Sequence, residues 1–594
     1  MRSICFLLIF FASANLFAQN DLLAKNYYEQ GNYEKALAIY NKLYKKNPGR
    51  TDYAIALVNS YQQLERFPEA EAILKARIVG RRINPQFIVE LGYNYSLQNQ
   101  DSIASNYYQE AIRFLDESPI YATTVAITFQ KHGLLDEAVQ TFERGMKLTP
   151  ERDYTSQLAS LYGEQGKLDK MFDKYIELIE RKPSHTSIAQ RNFSLYITED
   201  PLNEANVMLR KSLLTKLQKE PKVLYNTLLS WLFIQQKDFK KAFTQEKAIY
   251  KRTDEDNLSG IVTLALITMA AEDYENAEVM INFTIENAPT PEFKMQGYQY
   301  LMKIILETAT EKEYPAIEKQ FEELLTTYGK SVYTYLLQID YNHFLAFKAG
   351  KKALAISNLK ALSKANLNAR QEAKVKMELA DILVFDEKFN KALIYYSQIQ
   401  SKIKSDVIAQ EARFKVARTS YFKGDFPWAK LQLEVLRKSA SQLIANDAME
   451  LSLMISDNSL EDSTQTALKK FARADLLSLQ LKNREAVTVL DGLLLDHKGE
   501  SIEDEALLMQ GELYEKLGEF NKAAANYKKL IEFYNDDILA DDAHYKLARL
   551  YEFELHQPEI AKAMYEQIIF NFKDSIYFVE ARKKFRILRG DEIN

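Results

Sequence analysis

The sequence predicts an all-α solenoid in which one helix-turn-helix unit is repeated along the chain. The main observation is a spacing: Ala36, Ala70, Ala104 and Ala138 are each 34 residues apart, and a bulky side chain follows each of them four residues later. Glycine and proline are scarce, at 18 and 13 of 594 residues, which favours helix. A fixed period of this length indicates helical pairs that bury their apolar faces against neighbouring pairs.

The early units also share a set of residues at fixed places. The first unit has a small residue and an aromatic on its first helix, glycine at the turn, alanine and an aromatic on its second helix, and proline at the exit: Ala24, Tyr27, Gly31, Ala36, Tyr40 and Pro48. This pattern resembles the tetratricopeptide repeat. The resemblance implies a right-handed superhelix, here of about 15 repeats. In the fifth unit Met171 replaces the alanine, and its larger side chain predicts that the two helices are pushed apart or shifted.

The step between units lengthens after Pro183. It is mostly 37 or 38 residues from there on, and it is 38 between Ala523 and Ala561 because of one extra residue near Pro558. An increase of about one helical turn keeps the apolar stripe facing the neighbouring helix. The sequence therefore predicts two arrays of different geometry, joined between about 184 and 330.

One gap of 57 residues, between Ala429 and Ala486, interrupts the later array. It contains an unpaired helical segment, Asn446 to Ser456, and a polar stretch in which Ser459 to Ser463 is predicted to be a mobile joint. The predicted organisation is a signal peptide (1–18), an array of 34-residue units (19–183), degenerate units (184–330), longer units (331–440), an irregular joint (441–466) and a C-terminal array with a basic capping helix (467–594).

The first residues predict export. An apolar run from Ile4 to Phe11 precedes a small and polar stretch, as in a secretory signal peptide cut after Ala18, with Ala14 as the second choice. The other interpretation is a short buried helix. The single cysteine, Cys5, precedes the apolar run and cannot be a lipoprotein cysteine, so the mature chain would have no thiol. The expected location is the periplasm.

Charge and hydropathy exclude other classes. The formal net charge is −5, without the basic surface that nucleic-acid binding needs. No apolar stretch after the signal peptide reaches the length of a membrane span. The last helix is locally basic from Arg582 to Arg589, and we interpret it as a solvated capping helix. Docking to an acidic partner or to a membrane surface is the alternative.

The last units give a second resemblance. The run Ala540 to Ala548 follows a helix that ends in Phe533-Tyr-Asn. It is similar to the longer repeats of two bacterial envelope proteins, the tetratricopeptide lipoprotein of the barrel-assembly machinery and the periplasmic protein that works with the Tol-Pal system. The resemblance implies an envelope protein. The missing lipid-attachment cysteine departs from the first of these two.

A search for chemistry finds no catalytic set. No metal-binding pair of histidines, phosphate loop, nucleophile elbow or dinucleotide motif is present, so no catalytic, metal or cofactor residue is predicted. His132, which precedes Gly133 in a turn, is interpreted as structural, and Gly166 as a turn residue rather than part of a phosphate loop. Asp541 or Asp542 is predicted to cap a helix rather than to bind calcium.

The remaining candidate is a surface. In proteins that this sequence resembles, ligands lie in a groove lined by first helices. Carrying that pattern over gives a polar, nearly neutral set in the early array and a set of mixed charge in the later one. The alternative for each residue is an exposed position with no partner. The residues are Asn59, Gln62, Gln63, Tyr93, Ser96, Gln130 and Lys131, then Arg418, Tyr421, Glu512, Glu515, Arg549 and Glu552.

The leading hypothesis is a non-enzymatic exported scaffold that binds protein partners in the bacterial envelope, with outer-membrane assembly or secretion as candidate pathways and peripheral outer-membrane association as an option. The grip on a C-terminal carboxylate known in some relatives is not expected, because Asn59 alone matches it. A second hypothesis is a peptidoglycan or polysaccharide-binding protein whose groove tyrosines stack on sugars. A third, an enzyme with a site scattered over several repeats, is the least favoured.

Overall fold

The computed structural model describes residues 21–591, apart from 81–82, 254–256, 405, 440–441 and 460–463. The predicted signal peptide and most of the predicted mobile joint lie outside the described residues. All the regular structure in the described part is helical, which confirms the predicted all-α class.

The helices are numbered in chain order. Residues 21–29 form α1. Helices α2 to α32 are Tyr33–Lys46, Thr51–Gln63, Phe67–Arg77, Gln86–Ser96, Asp101–Arg113, Ala122–Lys131, Leu135–Leu148, Thr155–Glu164, Leu168–Arg181, Thr186–Phe193, Glu204–Lys219, Val223–Gln235, Phe239–Arg252, Ser259–Ala270, Tyr274–Glu286, Pro291–Thr308, Tyr314–Tyr328, Tyr335–Phe347, Lys352–Leu362, Ala369–Phe385, Phe389–Lys402, Val407–Phe422, Phe426–Ser439, Gln442–Asp457, Thr466–Leu479, Asn483–Asp496, Glu503–Lys516, Phe520–Phe533, Ala540–Arg549, Pro558–Asn571 and Phe578–Arg589.

The helices follow one another as a first and a second helix of each pair. Among the described residues, twelve pairs run from α1 to α24 and three from α26 to α31, while α25 and α32 have no partner of this kind. This agrees with the prediction of about 15 repeats. The chain divides into unit 1, residues 1–264, and unit 2, residues 265–594, and the division falls inside α15. The predicted difference in geometry between the two arrays, and the predicted handedness, remain predictions.

The recurring alanines of unit 1 belong to its buried core. Ala36, Ala70, Ala104 and Ala138 are all completely buried or nearly so. Met171 is equally buried, but a Cβ on Gly163 of the first helix would overlap its sulfur. A glycine on one helix thus makes the room that the larger side chain takes on the other. The prediction that these two helices are pushed apart took account of the size of Met171, but not of the space that Gly163 leaves for it.

The C-terminal pairs of unit 2 use the same device with larger groups. Tyr527 and Tyr565 follow the buried alanines of α29 and α31, and both rings are fully buried. A Cβ on Gly511 of α28 would overlap the ring of Tyr527. The glycine is therefore required by close packing, since interiors are packed too densely to yield this space without strain.

The turn between the two helices of a pair contains a residue in the left-handed region. Glycine takes this place at Gly31, Gly133, Gly166 and Gly518, as the sequence predicts for Gly166. Elsewhere non-glycine residues adopt it, among them Glu65 and Leu481, with φ of 57° and 59°. The turn geometry is kept even where the residue pays a conformational cost.

The extra residue predicted near Pro558 is absorbed one turn earlier. Leu550–Glu554 continues α30 as a π-helix, which takes one more residue per turn than an α-helix. Leu550 and Tyr551 stay buried, and Phe553 is turned to the surface. The insertion therefore changes which side chain of this helix is exposed, and keeps the register of the next pair.

The inserted helix α25 belongs to the core. It is longer than the predicted segment, and Ala448 and Ile455 are buried in one cluster with residues of α23, α24 and α26. Beyond it, α26 returns to earlier repeats of unit 2. The Gln480 side chain donates a hydrogen bond to the Phe385 carbonyl oxygen at 3.0 Å, and Arg473 pairs with Glu387 at 2.9 Å.

The predicted helix-capping role of Asp541 and Asp542 is wrong. Helix α30 begins at Ala540 with Leu539 at its N-cap, so both aspartates lie in the first turn, where acidic side chains favour the helix dipole. Asp542 accepts a hydrogen bond from the Tyr577 hydroxyl at 2.8 Å instead. None of the described helices combines the length and the apolar character that crossing a membrane requires.

Candidate protein-binding groove

The thirteen candidate residues lie on first helices or on the π-helical continuation of one. We call the surface that these helices present the first-helix face of each unit. In unit 1 the candidates belong to α3, α5 and α7. In unit 2 they belong to α23, α28, α30 and Leu550–Glu554. Whether partners contact them stays a prediction, apart from two that burial excludes.

Amide hydrogen bonds join first helices in unit 1. Gln62 is buried and its amide donates to Asn94 Oδ1 at 3.2 Å, while the Asn94 amide donates to the Phe67 carbonyl oxygen at 3.1 Å. Gln62 was predicted to contact a partner, and this is wrong because its side chain is used inside the array. Gln130 likewise donates to Glu164 at 2.7 Å.

A second contact of unit 1 brings Tyr93 against His132. The two rings stack with centroids 3.7 Å apart, and His132 Nε2 lies 3.0 Å from Glu90 Oε2. Glu90 is fully buried, and its other carboxylate oxygen has no hydrogen-bond partner among the described residues. His132 thus links the turn after α7 to α5, as its structural interpretation implies. Of the other candidates of unit 1, Asn59 and Ser96 are half-buried, and Gln63 and Lys131 are exposed.

Charged pairs replace amides on the first-helix face of unit 2. Five pairs at 3.6 Å or less join a first helix to the next first helix or to α32, and we call them the charged ladder; Lys303 and Asp340 make a longer contact of the same kind at 4.0 Å. Four are ion pairs and one joins a histidine to a glutamate. The pairs and their nitrogen–oxygen distances are His343–Glu378 at 2.9 Å, Lys415–Asp381 at 2.5 Å, Arg418–Asp475 at 3.6 Å, Lys546–Glu512 at 2.8 Å and Lys584–Glu552 at 3.0 Å.

Burial and charge act together in the ladder. Burial alone would lower the pKa of Lys415, but the Asp381 carboxylate raises it above its ordinary value. Burial raises the pKa of Asp475, and the Arg418 guanidinium partly opposes this. Asp381 also accepts a hydrogen bond from the buried Tyr396 hydroxyl at 2.5 Å. These two ladder pairs therefore tie three successive first helices, α21, α23 and α26, together through groups that are only partly in water.

Several candidates of unit 2 are occupied by these contacts. Arg418, Glu512 and Glu552 are ladder members, and Glu515 accepts a hydrogen bond from the Tyr527 hydroxyl. Tyr421 is completely buried, so its predicted role as a groove residue is wrong. Tyr421 and Phe422 are adjacent aromatic residues on α23, and the prediction selected the one that faces the core. Phe422 is the half-buried one, and its ring lies under the Arg418 guanidinium.

One concave site lies among the last first helices. A cavity of about 560 Å³, which we call the C-terminal groove, is lined by Glu515, Tyr545, Lys546, Arg549, Leu550, Phe553, Glu554 and Tyr577. Two predicted residues, Glu515 and Arg549, meet here. The Tyr545 and Tyr577 rings stack with centroids 4.1 Å apart and form one wall.

Arg549 and Phe553 are the groove residues best placed for a partner. Arg549 is exposed, and no carboxylate in the described part of the chain forms an ion pair with it. Its guanidinium lies 6.0 Å from the centroid of the Phe553 ring, and the Lys584 ammonium lies 4.5 Å from the same centroid. Glu515 and Glu554 also line the groove, but neither forms an ion pair with Arg549. A cation without an ion pair beside an exposed aromatic ring fits a carboxylate next to an apolar side chain.

The sequence missed six lining residues, which are Tyr545, Lys546, Leu550, Phe553, Glu554 and Tyr577. Lys546 lies three residues before Arg549 and so on the same side of α30, a signal that was present in the spacing. Phe553 was outside the repeat pattern because the π-helix rotates it to the surface. Tyr545 lies on a first helix, but at a position that the repeat pattern did not select. Tyr577 comes from the loop before α32, which a pattern based on first helices does not include. Among the described residues, no group of side chains is arranged to hold a metal ion.

Comparison with known proteins supports the repeat class. Residues 27–78 and 505–536 match family models described as tetratricopeptide repeat. No curated protein matches the chain. Solved structures that align with it include the APC/C hetero-tetramer Cut9-Hcn1, at 13% identity and TM-score 0.25, and Naa15/Naa10 bound to HypK-THB, at 15% and 0.27, each alignment covering 96% of both chains. The chain contains tetratricopeptide repeats, which are protein-interaction scaffolds.

Proposed function

We propose that the protein is a non-enzymatic scaffold of the bacterial cell envelope that holds protein partners on its first-helix faces. The repeats support the scaffold role, because stacked helical pairs create extended binding surfaces. The observation that carries the proposal is the C-terminal groove, where Arg549 has no ion-pair partner among the described residues and lies beside the exposed Phe553. A polypeptide with an acidic side chain next to an apolar one is the partner that this groove fits.

The envelope location rests on two features of the sequence. The first 18 residues have the layout of a signal peptide, and Ala540 to Ala548 is similar to repeats of two envelope proteins. We place the protein in the periplasm, with peripheral association with the outer membrane, and outer-membrane assembly or secretion as the process it serves. Fusion of residues 1–18 to a reporter that is active only after export tests this location, and a reporter retained in the cytoplasm would contradict it.

The scaffold role is tested by capture from an envelope extract at physiological salt. We expect the immobilised chain to retain a reproducible protein partner, and a variant with Arg549→Glu and Phe553→Ser to lose it. The matched control is Glu34→Arg, a charge reversal at an exposed position of a second helix. Equal capture by all three proteins, or the absence of any protein at this salt concentration, would contradict the proposal.

Sugar binding is the alternative function, and the aromatic wall of the groove is the feature that suggests it. The same groove variants can therefore test it. Tyr545 and Tyr577 are in the groove, although each ring covers one face of the other. Isolated cell wall is the probe. Retention of the chain on cell wall that is lost in Tyr577→Ala, together with unchanged protein capture, would replace the protein partner by peptidoglycan or another polysaccharide.

A further inference from the structure

The last repeats expose large apolar side chains at recurring places outside the groove. Phe533 is the last residue of α29 and Phe570 the second-last of α31, and their side chains are 68% and 66% exposed. Ile538 and Ile576, 38 residues apart, follow in equivalent loops and are 78% and 85% exposed. We call these four residues the loop edge. Single exposed apolar residues are ordinary, but a set repeated in consecutive units is typical of an interaction surface.

An acidic cleft accompanies the loop edge. Its volume is about 850 Å³, and it is lined by residues 535–538, by Asp541 in the first turn of α30, and by residues 571–575 at and after the end of α31. Four carboxylates face one lysine there, and no ion pair to any of the four occurs within the described residues. The carboxylates belong to Asp536, Asp537, Asp541 and Asp574, and the lysine is Lys573.

We propose that the loop edge binds a polypeptide segment in which lysine or arginine side chains alternate with large apolar ones. The apolar side chains of the segment would cover Ile538 and Ile576, while its cations enter the cleft. A metal ion does not fit, because no described group of acidic side chains has an arrangement that could hold one. An anionic membrane does not fit either, since the cleft carries a surplus of negative charge.

The two parts of the surface contribute differently. Covering an exposed isoleucine or phenylalanine supplies most of the affinity, at about a factor of ten or more for each side chain that becomes fully buried. The carboxylates of the cleft are mostly exposed to solvent, where charge pairs add little affinity but select against acidic segments. The partner chemistry is therefore opposite to that of the C-terminal groove, where Arg549 favours a carboxylate. This inference depends on the proposed function only in taking the partner to be a polypeptide.

The test uses the full chain and three fluorescently labelled peptides in anisotropy titrations. One alternates leucine and lysine, the second leucine and glutamate, and the third serine and lysine. We expect the leucine–lysine peptide to bind, the leucine–glutamate peptide not to bind, and the serine–lysine peptide to bind at least about tenfold more weakly, because burial of one large apolar side chain is worth about a factor of ten.

Two edge variants locate the binding. The double variant Ile538→Ser and Ile576→Ser is expected to weaken the leucine–lysine peptide at least about tenfold, since it removes two apolar contacts. The double variant Asp536→Asn and Asp537→Asn is expected to lower both affinity and salt dependence. Both change exposed side chains and preserve the fold. Val79→Ser, at an exposed position of unit 1, is the matched control and is expected to bind as the parent chain does.

The outcomes separate this inference from the proposed function. Absence of leucine–lysine binding, equal binding of the serine–lysine peptide, or affinity unchanged in both edge variants would overturn the loop edge as a binding site. Capture of an envelope protein that depends on Arg549 would still stand in that case. If the edge variants weaken the peptide while Arg549→Glu captures the same proteins as the parent, the proposed groove fails and the loop edge remains.

Discussion

The first-helix faces of the two units use the same positions of the repeat with different chemistry. In unit 1 the contacts between first helices are made by amides and stacked rings, as in Gln62 with Asn94 and Tyr93 with His132. In the described part of unit 1, no lysine or arginine ion pair joins one first helix to another. In unit 2 the charged ladder does so. The charges on the first-helix face of unit 2 thus largely pair with one another within the chain.

This difference explains which charges are free for a partner. Most candidates of unit 2 are consumed by the ladder or by tyrosine hydroxyls, and Arg549 stands out because it is exposed beside Phe553 with no described carboxylate paired to it. Counting charges on a repeat surface overestimates its binding capacity. The four predictions below test the comparison, from the largest expected effect to the smallest.

The largest effect should be the same in both units, because their helical pairs close in the same way. Adding a Cβ by Gly92→Ala would overlap the Tyr108 ring, and Gly511→Ala would overlap the Tyr527 ring. Overpacking of this kind costs about 3 kcal/mol at the upper end of its range. Local opening free energies from hydrogen exchange should fall by this amount in α5–α6 and in α28–α29 respectively. A large loss in only one unit would show that the cores differ as well as the faces.

The next effect should distinguish the units. Asp381→Ala removes the acceptor of the Tyr396 hydroxyl and leaves Lys415 with Glu411 alone, which we expect to cost about 2 kcal/mol in the opening of α21–α23. Gln62→Ala in unit 1 should cost about 1 kcal/mol. Added salt should reduce the effect of Asp381→Ala and leave that of Gln62→Ala unchanged, since screening acts on charges. Equal salt dependence would break the comparison.

The pH dependence should have opposite signs at two carboxyls. Burial and the neighbouring Asp504 raise the pKa of Glu505 in unit 2 to about 9. The folded chain then keeps a proton that the unfolded chain loses above about 4.5, so this group lowers stability as pH rises from there towards 9. Burial would raise the pKa of Asp153 in unit 1, but its bonds to Thr155 and Lys182 and the charge of Arg181 lower it. The stabilising contribution of Asp153 is therefore present above the ordinary pKa of an aspartate and is lost as the pH falls below it.

Matched amide variants check these signs. Glu505→Gln should remove the decline in the opening free energy of α28 between pH 5 and 8, and Asp153→Asn should remove the loss in α9–α10 below about pH 4, where an ordinary aspartate takes up its proton. Hydrogen exchange corrected for the intrinsic rate at each pH measures both. A decline that persists in Glu505→Gln would show that another group titrates there.

The smallest effect concerns the turns, which the units share. Leu481→Gly and Glu65→Gly place glycine where φ is positive and should each stabilise the local pair by up to about 1 kcal/mol, because a left-handed conformation costs other residues more. Thermal unfolding of each variant against the parent chain measures this. The exposed Glu34→Gly, within a helix, is the control and should destabilise instead.

The repeat could be predicted from the sequence because one alanine per pair must be small, and buried alanines recur at a countable interval. The count of pairs followed for the same reason. The compensation of Met171 by Gly163 could not be predicted from the alanine position, since it joins two helices. The capping role given to Asp541 and Asp542 failed because the helix begins at Ala540, before the residues that suggested its start.

The candidate site was predicted less completely than the fold. First-helix positions located Glu515 and Arg549 in the groove, but Gln62 and Tyr421 are buried because neighbouring repeats cover them. Phe553 was missed because a π-helix rotates it into view. The ladder was missed because it depends on which charges face each other across 32 to 57 residues of sequence, and the sequence of one helix does not show which residues of the neighbouring helix it faces.

The most direct test of the central claim places a photo-crosslinking amino acid at one position at a time in the full chain, in cells. The positions are 554, an exposed residue that lines the C-terminal groove, 63 on the first-helix face of unit 1 and 34 on a second helix. We predict a discrete protein adduct from position 554 that disappears when Arg549→Glu and Phe553→Ser are added, and none from position 34. Adducts of equal yield from all three positions, or no protein adduct from position 554, would contradict a partner held in the groove.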